Sequence, residues 1–142
     1  MERHIMCIDL KSFFASCECV ERNINPFTTP LVVANPKQGK GAITLAITPY
    51  LKSKCIKSRT RLYEIPPWVK YEIVPPRMSL YIKKSKEVVD IYLNFVSEED
   101  LHIYSIDECF IDVTYYLKMY QMSDRDLAKK ILETITTRTG LT

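Results

Sequence analysis

The run His4-Ile5-Met6-Cys7-Ile8 is nearly all apolar, and it stops on Asp9. A short continuous apolar run of this kind suits a strand buried within a sheet, so Asp9 sets a carboxylate at the end of a buried strand. Removing a carboxylate from water is costly unless a cation or a strong set of hydrogen bonds compensates it. The difficulty recurs at Asp107-Glu108, which lie between the strand-like segments Leu101–Tyr104 and Cys109–Val113, with Asp112 further along. These segments read as a hairpin with acids at its tip. A strand ending in Asp9 and lying beside that hairpin would bring three carboxylates together, and like charges that close repel. A hard dication removes the conflict, and oxygen ligands with no histidine beside them point to Mg²⁺ rather than zinc. Two such ions can activate an attacking hydroxyl and stabilise a leaving pyrophosphate. A blander account stays open at this point: Asp at a strand end is often a helix cap, and Asp-Glu at a hairpin tip is often a solvated turn.

The rest of the chain bounds the setting. With 142 residues, 46% of them hydrophobic and 26% charged, it has the size and balance of one globular domain, with room for an inserted subdomain. No apolar run is long enough to span a bilayer, and the apolar stretch near the N-terminus is too short for a signal peptide. Five cysteines form an odd set without a CxxC pair, which fits a reducing cytoplasm better than a disulfide framework or a zinc site. The net charge of +3 is too small to decide a partner. Its distribution says more: from Lys37 to Arg61 every charged residue is basic.

Hydrophobic spacing predicts a helix over Lys11–Arg22, and strands over Leu31–Ala34 and Ala42–Ile47 joined through Asn35–Gly41. A short helix follows from Thr48-Pro49, then a strand over Tyr71–Val74 closed by Pro75-Pro76. Ser79–Val96 reads as an amphipathic helix with Ser85, Val88, Val89, Tyr92, Phe95 and Val96 on one side. Ser123, three residues ahead of Asp126, opens a last helix with Leu127, Ile131 and Ile135 inward. This order predicts an α+β fold, a sheet with helices on one face.

Two stretches carry a resemblance. Cys7-Ile8-Asp9-Leu10-Lys11-Ser12-Phe13-Phe14-Ala15-Ser16-Cys17-Glu18 resembles the first motif of the Y-family DNA polymerases, and its Phe-Ala-Ser-Cys-Glu portion the UmuC-like branch. Tyr104-Ser105-Ile106-Asp107-Glu108-Cys109-Phe110-Ile111-Asp112-Val113 resembles the family's second signature. Both occur in the family's order and separation, and Leu31–Ala34, Ala42–Ala46 and Arg61–Pro66 follow its layout between them.

The resemblance implies a palm-type mixed or antiparallel sheet from residues 1–10 and 75–142, with a small inserted fingers subdomain over 11–74. It also implies that the rest of the palm, the thumb and the little finger lie outside this stretch, leaving a fragment inactive by itself. Asp9, Asp107 and Glu108 match the family's catalytic acids: Asp9 and Asp107 would bridge two Mg²⁺ ions and Glu108 would serve the one that activates the primer 3′-hydroxyl. The Leu10 carbonyl would complete the nucleotide-side ion. Phe14 matches the steric gate against a 2′-hydroxyl, with Phe13 as support under the nucleotide, and Lys52 falls near a triphosphate contact. Pro49 and Ala46 depart from the common pattern, where a tyrosine and a threonine often stand. Translesion DNA synthesis on primer–template DNA and dNTP is the implied function. A sliding clamp or recombinase filament would be met through regions outside this stretch. The alternatives are a palm-type nucleotidyl cyclase, whose turn should read Gly-Gly-acid-acid rather than Ser-Ile-Asp-Glu, and a non-catalytic nucleic-acid-binding or protein-interaction fragment.

Overall fold

The computed structural model describes residues 2–142. Two compact units divide the chain: residues up to Leu10 together with Ile82–Thr142, and the continuous stretch Lys11–Tyr81.

The first unit is built on a three-stranded antiparallel sheet. Strand β1 (Ile5–Asp9) pairs with β6 (Glu108–Asp112), which pairs in turn with β5 (Leu101–Ser105). The β1–β6 register sets Ile8 opposite Cys109 and Cys7 opposite Phe110. Ile8, Cys109 and Ile111 are buried while Cys7 and Phe110 are exposed, so the sheet buries one face. The buried side is covered from α3 (Met78–Tyr92), where Val88, Ile91 and Tyr92 are inside, and α5 (Asp124–Thr139), where Leu127, Ile131 and Ile135 are fully buried. Between β6 and α5 lies α4 (Thr114–Tyr120), a helix that hydrophobic spacing did not predict. The strand predicted over Cys109–Val113 ends at Asp112, and the helix begins at Thr114. The Asp112 carboxylate accepts from the Thr114 N–H at 3.1 Å and from the Thr114 hydroxyl at 2.6 Å, just ahead of the Val113 N-cap position.

The second unit holds α1 (Phe13–Glu21), α2 (Pro49–Ser53) and a small mixed sheet, in which β2 (Leu31–Val33) runs antiparallel to β3 (Ala46–Ile47) and parallel to β4 (Glu72–Val74). There are thus two sheets where one was expected, and the apolar run from Ala42 is broken. Only its end pairs with β2, while Ile43 bridges to Arg61. Val32, Ala34, Ile47, Leu51, Ile56 and Leu62 make the core of this unit. The link from β2 to β3 is two 3-10 turns over Pro36–Gly41, capped by the Asn35 side chain and broken at Gly39, whose φ of 63° suits glycine.

The division between units falls after Tyr81, seven residues beyond the 74/75 boundary read from the sequence. The reason is electrostatic: the first turn of α3 supplies Arg77, just before it, and Tyr81 to Glu18 of α1. Among the described residues no helix is long and apolar enough to cross a membrane.

Candidate metal centre

The register of the first sheet decides which acids meet. Asp9 and Glu108 are direct cross-strand partners. Leu10 N–H donates to the Asp107 carbonyl at 2.9 Å, and in an antiparallel ladder hydrogen-bonded and open pairs alternate. Asp9 and Glu108 therefore form an open pair, the closer kind, with both side chains on one face. Asp107 sits in the turn immediately before β6. Carboxylate oxygens of Asp9, Asp107 and Glu108 all lie within 4.8 Å of one another.

The turn is held from two sides. Ser85 on α3 donates its hydroxyl to the Ile106 carbonyl at 2.6 Å, and Ser105 donates to Asp107 Oδ1 at 3.0 Å. These bonds fix the hairpin tip and one carboxylate, so the acids converge by construction rather than by a loose turn. Like charges placed directly across a pair of strands destabilise it. The donor set is three carboxylates with no histidine or cysteine, which fits a hard oxygen-preferring dication. Asp112 is not among them; Thr114 and then Arg3 occupy its carboxylate, and their hydrogen bonds hold it down at a pKa of about 2.

The remaining predicted residues belong to the second unit. Phe13 is buried in it, so its ring has almost no surface to offer a ligand. Phe14, next to it, is half-buried and lies stacked on Tyr81, with ring centroids 4.5 Å apart and planes 16° from parallel. Lys52 is exposed in the last turn of α2, where its N–H closes the helix onto the Thr48 carbonyl at 3.1 Å. Leu10 is buried at the end of β1.

One polar cluster escaped the reading of the sequence. Glu18 has no exposed surface, yet it receives Arg77, Arg22 and the Tyr81 hydroxyl, the last at 2.7 Å. Burial opposes its ionisation, but the hydrogen bonds from Arg77, Tyr81 and Arg22 outweigh that and hold the carboxyl below its ordinary value. Burial, reinforced by the hydrogen bond to Glu18, pushes the Tyr81 phenol well up. The ring under Phe14 is thus tied down at its far end. The signal available in the sequence was a glutamate at an inward position of α1, between Cys17 and Cys19.

A strand end and a hairpin turn that converge three carboxylates define an α+β protein with a candidate metal centre. The chain belongs to the impB/mucB/samB (IMS) family, whose profile matches residues 8–142. It is 41% identical over 111 residues to the putative UV-damage repair protein UvrX of Bacillus subtilis, covering 78% of this chain and 27% of that protein. It is also 41% identical over 105 residues to the DNA repair protein homolog YozK of B. subtilis, covering 73% of this chain and 91% of YozK. DNA polymerase IV 2 of Halalkalibacterium halodurans is 31% identical over 147 residues, 99% of this chain and 34% of that one. The chain therefore spans about a quarter to a third of UvrX and this polymerase, but nearly all of YozK. Among solved structures, a Dbh ternary complex superposes with a TM-score of 0.78 at 20% identity over 97% of this chain and 39% of that one. DinB from Sulfolobus solfataricus gives 0.77 at 23% identity over 97% and 40%. The shared fold matches the Y-family resemblance of the two motifs.

Proposed function

We propose that this chain is the catalytic-acid and nucleotide-covering portion of a lesion-bypass DNA polymerase, acting in DNA damage tolerance. The observation that carries the reading is the convergence of Asp9, Asp107 and Glu108 within 4.8 Å in a chain of this family. The relatives' names, DNA polymerase IV 2 and UV-damage repair protein, support the reaction and its setting. In this reading the first unit is the palm, the second the fingers, and the substrates are primer–template DNA and dNTP.

Asp9, Asp107 and Glu108, with the Leu10 carbonyl, would hold the Mg²⁺ ions of such a polymerase. When bound, the ions neutralise charge on the attacking hydroxyl and the leaving pyrophosphate. The chain's own task is positioning. Ser105 fixes Asp107, and Ser85 fixes the turn that carries it. Phe14 presents an apolar ring that offers a 2′-hydroxyl neither space nor a hydrogen bond, with Phe13 beneath it, and Lys52 meets the triphosphate. Phosphoryl transfer of this type asks for charge neutralisation and alignment, not a covalent nucleophile.

A second reading is a nucleic-acid-binding or protein-interaction unit without synthesis of its own. Primer extension separates the two. A polypeptide that continues this chain with the remaining length of its polymerase IV relatives should extend a primer with Mg²⁺ and dNTP. Asp107→Ala should abolish extension, and in the chain itself weaken Mn²⁺ binding, while leaving the melting temperature near that of the parent. Extension that survives Asp107→Ala would sink the metal assignment.

A further inference from the structure

The second unit carries a surface that the acids, Phe14 and Lys52 do not use. Trp68, the chain's one tryptophan, is 81% exposed. It is not on a loose loop: the Val69 N–H donates to the Pro66 carbonyl at 3.0 Å, closing a turn that holds Pro67 and Trp68 at its tip. Two prolines stiffen that turn before any ligand arrives. The chain neighbours of Trp68, Pro67 and Val69, line an open groove of about 350 Å³, although Trp68 is not itself among the lining residues. Its walls include Pro66, Pro67, Val69 and Tyr71, and its only charged lining residues are Lys40 and Lys70.

Lys40 stands on the 3-10 segment that the Asn35 side chain pins by accepting from the Lys37 N–H at 3.0 Å. It also belongs to the stretch from Lys37 to Arg61, in which every charged residue is basic. Glu64 and Glu72 lie nearby in sequence but do not line the groove. The groove thus offers an apolar wall and two lysines without a carboxylate, and an exposed indole stands in sequence between two of its lining residues. An acidic peptide would answer the lysines but leave the indole and the proline wall in water. A single-stranded nucleic acid answers all three, because each base has a face to stack, each sugar an apolar edge and each phosphate a charge.

We propose that this groove and Trp68 bind an unpaired strand of nucleic acid, with a base stacked on the indole and phosphates at Lys40 and Lys70. The inference rests on the nucleic-acid reading above for its ligand, but not on the carboxylate centre. Trp68 is its own reporter. Titrating the chain with an oligothymidine of about ten nucleotides, within the usual span of such sites, should quench the indole emission saturably. Affinity should fall as salt rises, since phosphate contacts release counterions. Lys40→Glu with Lys70→Glu should weaken binding about tenfold or more, and Trp68→Ala should do so about tenfold, read by anisotropy of a labelled oligonucleotide. All three residues are exposed, so unchanged circular-dichroism melts should accompany these losses.

Absent quenching overturns the proposal, as does quenching indifferent to the lysine substitutions, or equal quenching by a polyglutamate of the same length. The two readings fail separately. Asp107→Ala should leave the quenching intact. Extension by the longer polypeptide without quenching removes this surface and keeps the polymerase; quenching without extension does the reverse.

Discussion

Asp9 and Glu108 face each other through five consecutive register pairs, and Asp107 joins them through a turn fixed by two serine hydroxyls. Their convergence was legible because each acid ends or begins an apolar strand. Asp9 nonetheless proves exposed and Asp107 and Glu108 only partly buried, so burial cost is not what brings them together. Glu18 was not legible in the same way. Its partners Arg77 and Tyr81 lie 59 and 63 residues away, and no local pattern shows that α1 and the start of α3 meet. The link matters for Phe14, whose ring rests on Tyr81. Phe14→Ala in the extended polypeptide should raise ribonucleotide incorporation relative to deoxyribonucleotide by about tenfold or more, equivalent to about 1.4 kcal/mol of lost discrimination. Unchanged discrimination would place the gate elsewhere. Asp112 gives a pH test. Hydrogen bonds from Thr114 and Arg3 depress its pKa to about 2, so it stabilises the fold above the unfolded carboxylate range and loses that effect as pH falls through the folded value. The melting-temperature gap between parent and Asp112→Asn should therefore be constant near neutrality and narrow from about pH 4 toward pH 2.

Helices and strands that carry their own start and stop signals were readable. The Ser123 side chain accepts from the Asp126 N–H at 3.1 Å, and Gly140 closes α5 at a φ of 79°. Ser123→Ala should cost about 1 kcal/mol of stability, the usual value of an N-cap, measured by urea unfolding with an unchanged slope. What could not be read was pairing between distant segments. β2 takes β4 as a parallel neighbour across roughly forty residues, and nothing in Leu31–Val33 names that partner. The α4 helix was not predicted: Val113 stands at its N-cap with no side-chain cap, so no start signal marks it in the sequence.

The molecule as a whole divides where α3 leaves the Glu18 cluster, so the second unit is one uninterrupted piece of chain with its own core and its own ion pairs on the buried Glu18. A polypeptide of residues 11–81 should melt cooperatively by circular dichroism. Glu18→Ala within it should destabilise it by about 1–3 kcal/mol, because the buried Tyr81 hydroxyl loses its acceptor. A gradual, non-cooperative melt would show that the unit depends on the rest of the chain. The first unit has the opposite character. Its β1 and β6 stand roughly a hundred residues apart in sequence, yet every rung of their ladder joins the two. On a ribosome adding about 5–20 residues each second, β1 emerges several seconds before the strand it must meet. The intervening piece has time to fold first. The acid cluster can then assemble only after that piece, and a nascent polypeptide stalled before Asp107 carries one of its three carboxylates.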